Sequence, residues 1–255
     1  MKVNYIRLAL YTAIVYVATI ILQVYTPATR GYFNLGETAI YIVAVMSSPL
    51  TAGLAGGIGS ALADLTTGYG YFAPGTLIIK FTEGFLVSLL VKKVLRGISE
   101  RSLKSLSVVA SLIIAFTLAG VGYYMFSGET EIASIPINFL GFEIVVLSGT
   151  LGIPALSWLI IGAALAVMLI YLVLAKGRPN IRYAVSMILG GFTMVLGYFL
   201  YEYFIVNPLI NKAPPEQALF EIPVNLGQVL IGMSVALPIA TFVKEAVGSE
   251  FDRTE

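Results

Sequence analysis

Residues 37–65 read ETAIYIVAVMSSPLTAGLAGGIGSALADL, an apolar run whose only charges are Glu37 and Asp64 at its two ends. The run is interrupted once, at Ser47-Ser48-Pro49. Proline disfavours helical backbone in the residue before it, which places a turn near Ser48. Two helices are therefore expected, Glu37–Ser47 and Leu50–Leu65, the second dense in glycine and alanine. A soluble fold has too few polar residues to spare for covering such segments, whereas a bilayer accepts helices whose backbone is satisfied internally. Composition agrees: 58% of the 255 residues are hydrophobic and 11% are charged, against roughly 25% charged in soluble domains.

Working outward, a spanning helix needs about 20 mostly apolar residues. Tyr5–Tyr25, Leu77–Val94, Leu106–Phe126, Pro154–Ala175, Tyr183–Val206 and Ile222–Val243 qualify, which makes eight spans in one transmembrane domain over residues 1–255. The first is too long for the apolar core of a signal peptide and is read as retained. Eight spans put both termini on one side. Lys2, Arg7, Lys92, Lys93, Arg96, Arg101, Lys104, Lys176, Arg178, Arg182, Lys244 and Arg253 then share that side, against Arg30 and Lys212 opposite. Basic residues gather on the cytoplasmic side, so both termini are expected in the cytoplasm of a cell-membrane protein.

The expected outer segments are unusual in composition. Thr26–Gly36 carries Arg30, Tyr32, Phe33 and Asn34, and residues 66–75 read TTGYGYFAPG. Ser127–Ile153 holds Glu129, Glu131 and Glu143 beside the apolar INFLGFEIVVL at 137–147, a piece too short to span and expected at the interface or re-entrant. Asn207–Glu221, with Pro208, Pro214 and Pro215, is expected to be ordered without being helical throughout.

Several functional classes are disfavoured. The chain has no cysteine and no histidine, which removes thiol nucleophiles, thiolate metal sites, the usual zinc ligands and any Ser-His triad. A net charge of +1 gives no field to recruit nucleic acid. An enzyme would have to rely on an aspartyl dyad or a Ser-Lys pair, and Asp64 is the one aspartate of the membrane region. No catalytic residue, metal ligand or covalent cofactor is therefore expected.

Ionisable groups inside a bilayer are costly, about 2.5 kcal/mol or more on insertion scales, and invite a functional explanation. Glu37, Asp64, Lys80, Glu83 and Glu202 lie in or at the ends of spans, and Asn225 and Gln228 join them near the outer end of the last. Lys80 can pair with Glu83 three residues on, or with Asp64 of the preceding span. Taken singly, such groups serve equally well as structural pairs. Taken together, they sit at one depth below aromatic and glycine-rich loops, the inventory of a mostly apolar pocket with a few convergent polar groups. Small residues are a second signal: Ala9-x-x-x-Ala13 near the cytoplasmic end of the first span suits an internal contact or a partner protein equally.

Residues 31–93, GYFNLGETAIYIVAVMSSPLTAGLAGGIGSALADLTTGYGYFAPGTLIIKFTEGFLVSLLVKK, resemble the substrate-binding S component of energy-coupling factor (ECF) vitamin transporters, riboflavin-type branch. GGFTMVLGYFLYEYFI at 190–205 and IPVNLGQVLIGMSVALPIA at 222–240 are similar to the last two spans of that branch. The resemblance implies an all-α, six-helix bundle, here residues 1–97 and 182–245. Residues 98–181 would be an inserted two-helix transmembrane hairpin with an external loop. It also implies capture of a vitamin or vitamin precursor from outside, riboflavin first, by Tyr32, Asn34, Glu37, Lys80, Glu83, Glu202, Asn225 and Gln228; the depth argument adds Asp64. Ala9 and Ala13 match the family's docking motif for a transmembrane T component, which is linked to two cytoplasmic ATPases, and the S component is thought to topple in the membrane to deliver its cargo. The chain has no phosphate-binding loop of its own, in keeping with that division of labour. A stand-alone ion-coupled transporter and a non-transport membrane scaffold are the alternatives.

Overall fold

The computed structural model describes residues 4–26, 30–125, 128–132, 136–140, 142–145, 149–174 and 178–247. Among these, eight α-helices fall on the eight apolar segments: α1 Tyr5–Ile21, α2 Gly36–Met46, α3 Pro49–Thr66, α4 Ala73–Leu89, α5 Glu100–Met125, α6 Ala155–Leu174, α7 Arg178–Tyr201 and α8 Glu221–Val247. Four stretches, Ala73–Val94, Glu100–Tyr124, Ile181–Asn211 and Pro215–Lys244, are long and apolar enough to cross a membrane. Buried and exposed apolar side chains coexist throughout: Ile40, Met187 and Met233 are fully enclosed, while Ile78, Phe116 and Phe242 face outward. Outward-facing apolar residues on this scale suit lipid as the solvent, and the chain is an α-helical membrane protein.

Local chemistry sets the helix ends. Asn4 caps α1, its side chain accepting from the backbone N–H of Ile6 and Arg7. The expected break at Ser48 is present: Ser48 caps α3 through the Thr51 N–H, and Pro49 occupies the first turn, where no N–H is needed. Ser88 of α4 donates to the Ser47 carbonyl and fixes that end of α4 against the turn. The most extensive helix contact joins α3 to α4, and it is glycine that allows it. A Cβ on Gly57 would stand 2.5 Å from the Leu77 carbonyl oxygen, and one on Gly84 would stand 2.7 Å from that of Ala52.

The segments between helices depart from the sequence reading. The first span stops at Ile21, and Leu22–Thr26 becomes a strand, β1, antiparallel to β2, Gly31–Asn34. The described part of the apolar piece at 137–147 forms two strands, β4 Pro136–Phe139 and β5 Phe142–Val145. These complete a sheet of order β2-β1-β4-β5. Strands β3, Gly128–Ile132, and β6, Gly149–Ile153, pair separately. Backbone hydrogen bonding between strands gives this stretch partners that a lone interfacial segment lacks. The 207–221 region is helical in two pieces and not throughout, as expected. A π-helical segment, Glu202–Asn211, extends α7, and a 3-10 segment, Pro215–Phe220, leads into α8. All the strands lie at one end of the bundle, between the end of α1 and the start of α2 and between the end of α5 and the start of α6.

Candidate ligand-binding site

Helices α3, α4, α7 and α8 and strand β2 converge beneath these strands on a small polar cavity. Each helix brings two lining positions spaced four residues apart, or one turn: Ser60 and Asp64 on α3, Thr76 and Lys80 on α4, Tyr198 and Glu202 on α7 and its extension, Glu221 and Asn225 on α8. Gln228 extends the α8 row, Thr19 comes from α1, Gly31, Tyr32 and Asn34 from β2, and Phe72 from the turn before α4. The side chains close on a volume of about 30 Å³, room for one or two waters.

Hydrogen bonds tie this lining together. The Tyr32 hydroxyl donates to Asp64 Oδ1 at 2.6 Å. Burial, reinforced by the Asp64 charge, pushes the Tyr32 phenol well above its usual range, so it stays protonated and keeps donating. Gln228 accepts from the Asn34 backbone N–H at 3.0 Å and donates to Asn225 at 2.8 Å, joining β2 to α8. Asn34 Oδ1 accepts from the Gly36 N–H at 2.7 Å, which fixes the entry into α2. On the far wall the Tyr198 hydroxyl donates to Thr76 at 3.0 Å, and Tyr201 donates to the Tyr71 carbonyl at 2.8 Å.

Seven of the nine expected site residues line the cavity: Tyr32, Asn34, Asp64, Lys80, Glu202, Asn225 and Gln228. Glu37 and Glu83 do not. They stand behind Lys80, whose ammonium pairs with Glu37 and with Glu83 at 3.3 Å, and Glu83 also accepts from Tyr41 at 3.0 Å. Asp64 is engaged by Tyr32 rather than by Lys80. All three members of the Lys80 cluster are 3% exposed or less, so each would cost several kcal/mol to hold charged without the others. Sequence reasoning missed Thr19, Gly31, Ser60, Phe72, Thr76, Tyr198 and Glu221; four of these, Ser60, Thr76, Tyr198 and Glu221, sit four residues from one it had chosen.

Ala9 and Ala13 lie elsewhere, in a shallow apolar groove between α1 and α3 that is lined by Leu8, Thr12, Tyr16, Ile58 and Leu62 as well.

Two similarities bear on this arrangement. A curated relative from Pyrococcus woesei, described as an uncharacterized protein in gap 3'region, is 49% identical over 71 residues. That match covers 28% of this chain and 47% of the relative, so it spans about half of the relative's length. The family model described as "ECF-type riboflavin transporter, S component" matches residues 3–176, a stretch that holds α1 to α6, the strands and the β2, α3 and α4 walls of the cavity. A helical membrane bundle with a polar cavity set just under one end is what a substrate-binding subunit requires, and the chain belongs to the S-component family of ECF-type riboflavin transporters.

Proposed function

We propose that this chain is the binding subunit of an ATP-driven importer and captures a vitamin or vitamin precursor from outside the cell, with riboflavin the first molecule to test. The observation that carries the reading is the cavity: buried polar residues from separate helices meet at the strand end of a membrane bundle, in a chain of the S-component family. The basic residues argue that this end is the outer one, with all eight helices spanning and both termini cytoplasmic. The division into a bundle, 1–97 with 182–245, and an inserted hairpin, 98–181, is supported by the lining: among the described residues, none of it comes from 98–181. Helices α5 and α6 pack chiefly on each other.

A cavity of this size admits a vitamin only if its lining moves. Strand β2 supplies Gly31, Tyr32 and Asn34 and is held to the helices through the Tyr32–Asp64 and Asn34–Gln228 bonds, so displacement of β2 is the step expected to open it. Because β1 pairs with both β2 and β4, the 98–181 segment is coupled to that motion.

The decisive experiment expresses the chain in cells with and without a T component and two ATPases and follows uptake of labelled riboflavin and other vitamins. Uptake that needs the partners and ATP is expected. Uptake by the chain alone in liposomes under an ion gradient would favour the stand-alone transporter instead. A narrower prediction concerns the α1 groove. Ala13→Leu fills the space beside Ile58 and Leu62 without touching the cavity, so ligand binding by the purified chain is expected to be unchanged. Uptake by the assembled transporter should fall by about tenfold or more, since overpacking a contact costs ~1–3 kcal/mol. Equal uptake in variant and parent would remove Ala9 and Ala13 from the partner interface.

A further inference from the structure

We infer that one face of the four-stranded sheet is seated in the membrane leaflet bordering the strand end of the bundle, at headgroup level, so that lipid covers the outside of the cavity's roof. The inference goes beyond the binding-subunit reading and is independent of the cargo.

Strand register sorts the sheet into two unlike faces, because directly opposite residues of antiparallel strands share a face and successive residues alternate. Tyr32 and Asn34 of β2 share a face with Gln23 of β1 and Asn138 of β4. That face is polar, and Tyr32 and Asn34 line the cavity from it. The other face carries Phe33, Leu22, Val24, Ile137, Phe139, Phe142 and Ile144, with Thr26 and Gly31 at one margin and no charged residue among them. Its outlying side chains stand open: Phe139 is 46% exposed, Ile144 52% and Phe142 74%, and Leu140, which follows β4, is 60% exposed.

Two observations say what covers this face. The Leu140 N–H donates to the carbonyl of Ile21, the last residue of α1, at 3.2 Å, and β1 continues from α1 without a break. The β4–β5 pair is therefore held at the level where α1 ends, and α1 itself presents Leu10, Ile14 and Val17 outward. Among the described residues, moreover, β5 is an edge strand. Free backbone groups along an edge are not tolerated in the hydrocarbon core, while a row of exposed apolar side chains on an edge is a pairing hazard in water. The headgroup boundary suits both, and it is where aromatic side chains concentrate. Because β1 joins β4 to β2, lipid then borders the same sheet whose β2 strand closes the cavity.

The test uses the full-length protein with its one tryptophan removed by Trp158→Phe and a single reporter added by Phe142→Trp or by Asn138→Trp, on opposite faces of adjacent strand pairs. Each is reconstituted in phosphatidylcholine vesicles brominated either near the headgroup or near the end of the acyl chain. Fluorescence of Phe142→Trp is expected to be quenched at least about twofold by the headgroup-side bromines and less by the chain-end ones, and that of Asn138→Trp much less by either. Phe139→Trp, on the same face, takes the place of Phe142→Trp if that variant does not fold. Absence of quenching at this face, whether it is open to water or covered by a second copy of the chain, overturns the inference. Stronger quenching from the chain end, or equal quenching of Asn138→Trp, overturns it as well. Riboflavin binding retained alongside any of those results leaves the binding-subunit reading standing, so the two fail separately.

Discussion

Lys80→Met is expected to be among the most destabilising single substitutions in this protein, at about 3–5 kcal/mol. The side chain is fully enclosed and its ammonium is shared by two carboxylates that are themselves 0% exposed, Glu37 and Glu83. Methionine fills nearly the same volume, so little packing is lost; what is lost is the charge that makes Glu37 and Glu83 tolerable. Gly232 of α8 lies directly against Glu37, with the place of its missing Cβ 2.6 Å from the Glu37 Cβ, which leaves that carboxylate little room to swing towards water. Tyr41 supports only Glu83. The effect should appear as a fall of roughly 10 °C in the apparent melting temperature of the purified protein, followed by circular dichroism. A companion protein carrying Lys80→Met, Glu37→Gln and Glu83→Gln should recover most of that loss, because a buried ion cluster replaced as a whole is often close to neutral. Unchanged melting in the single variant would mean that the cluster holds no net charge to lose, and the ionic account of it would fall.

The sequence was legible wherever one element decides its own state. Eight apolar segments gave eight helices, and Ser48-Pro49 marked its turn because a proline constrains its neighbour locally. The strands were not legible for the opposite reason. Leu22–Thr26 follows the helix with no proline or glycine to mark a break, and short runs of this kind do not separate helix from strand. Its state depends on Gly31–Asn34 nearby and on Ile137–Phe139 far along the chain. The site was half legible. Intramembrane charge picked out Asp64, Lys80 and Glu202, which line the cavity, and one-turn spacing applied to them would have added Ser60, Thr76 and Tyr198. What one-dimensional spacing could not give was depth behind the wall. Glu37 and Glu83 look like lining residues in a list, but they serve as the counter-charge of Lys80 because α2 packs behind α4. Phe72 could not be found by helical spacing, since it belongs to the turn that Gly68, at a φ of 93°, helps to form.

Gly57→Leu is expected to match or exceed the effect at Lys80, by a different mechanism. In lipid, helices gain nothing from hiding apolar surface from water, so their association depends on close packing and small residues at the contact. The α3–α4 contact is built that way from both sides: Gly53, Gly56 and Gly57 admit the backbone of α4 around Lys80 and Phe81, and Gly84 admits the backbone of α3 at Ala52. A Cβ at Gly57 would fall 2.5 Å from the Leu77 carbonyl oxygen and 3.1 Å from the Phe81 Cβ. Neither atom is the free end of a flexible side chain, so relief requires the two helices to part. Parting them separates the α3 wall, with Ser60 and Asp64, from the α4 wall, with Thr76 and Lys80, which opens the cavity as well as the contact. Overpacking of a tight site costs typically ~1–3 kcal/mol and occasionally more, and disruption of the ion cluster would add to it. The expected result is little monodisperse protein after extraction, with the remainder melting well below the parent and binding no ligand. Gly70→Leu provides the control, because a Cβ there meets only the Leu65 side chain at 3.7 Å and should leave melting nearly unchanged. If Gly57→Leu behaves like Gly70→Leu, close approach of α3 and α4 is not what holds the two cavity walls at their spacing.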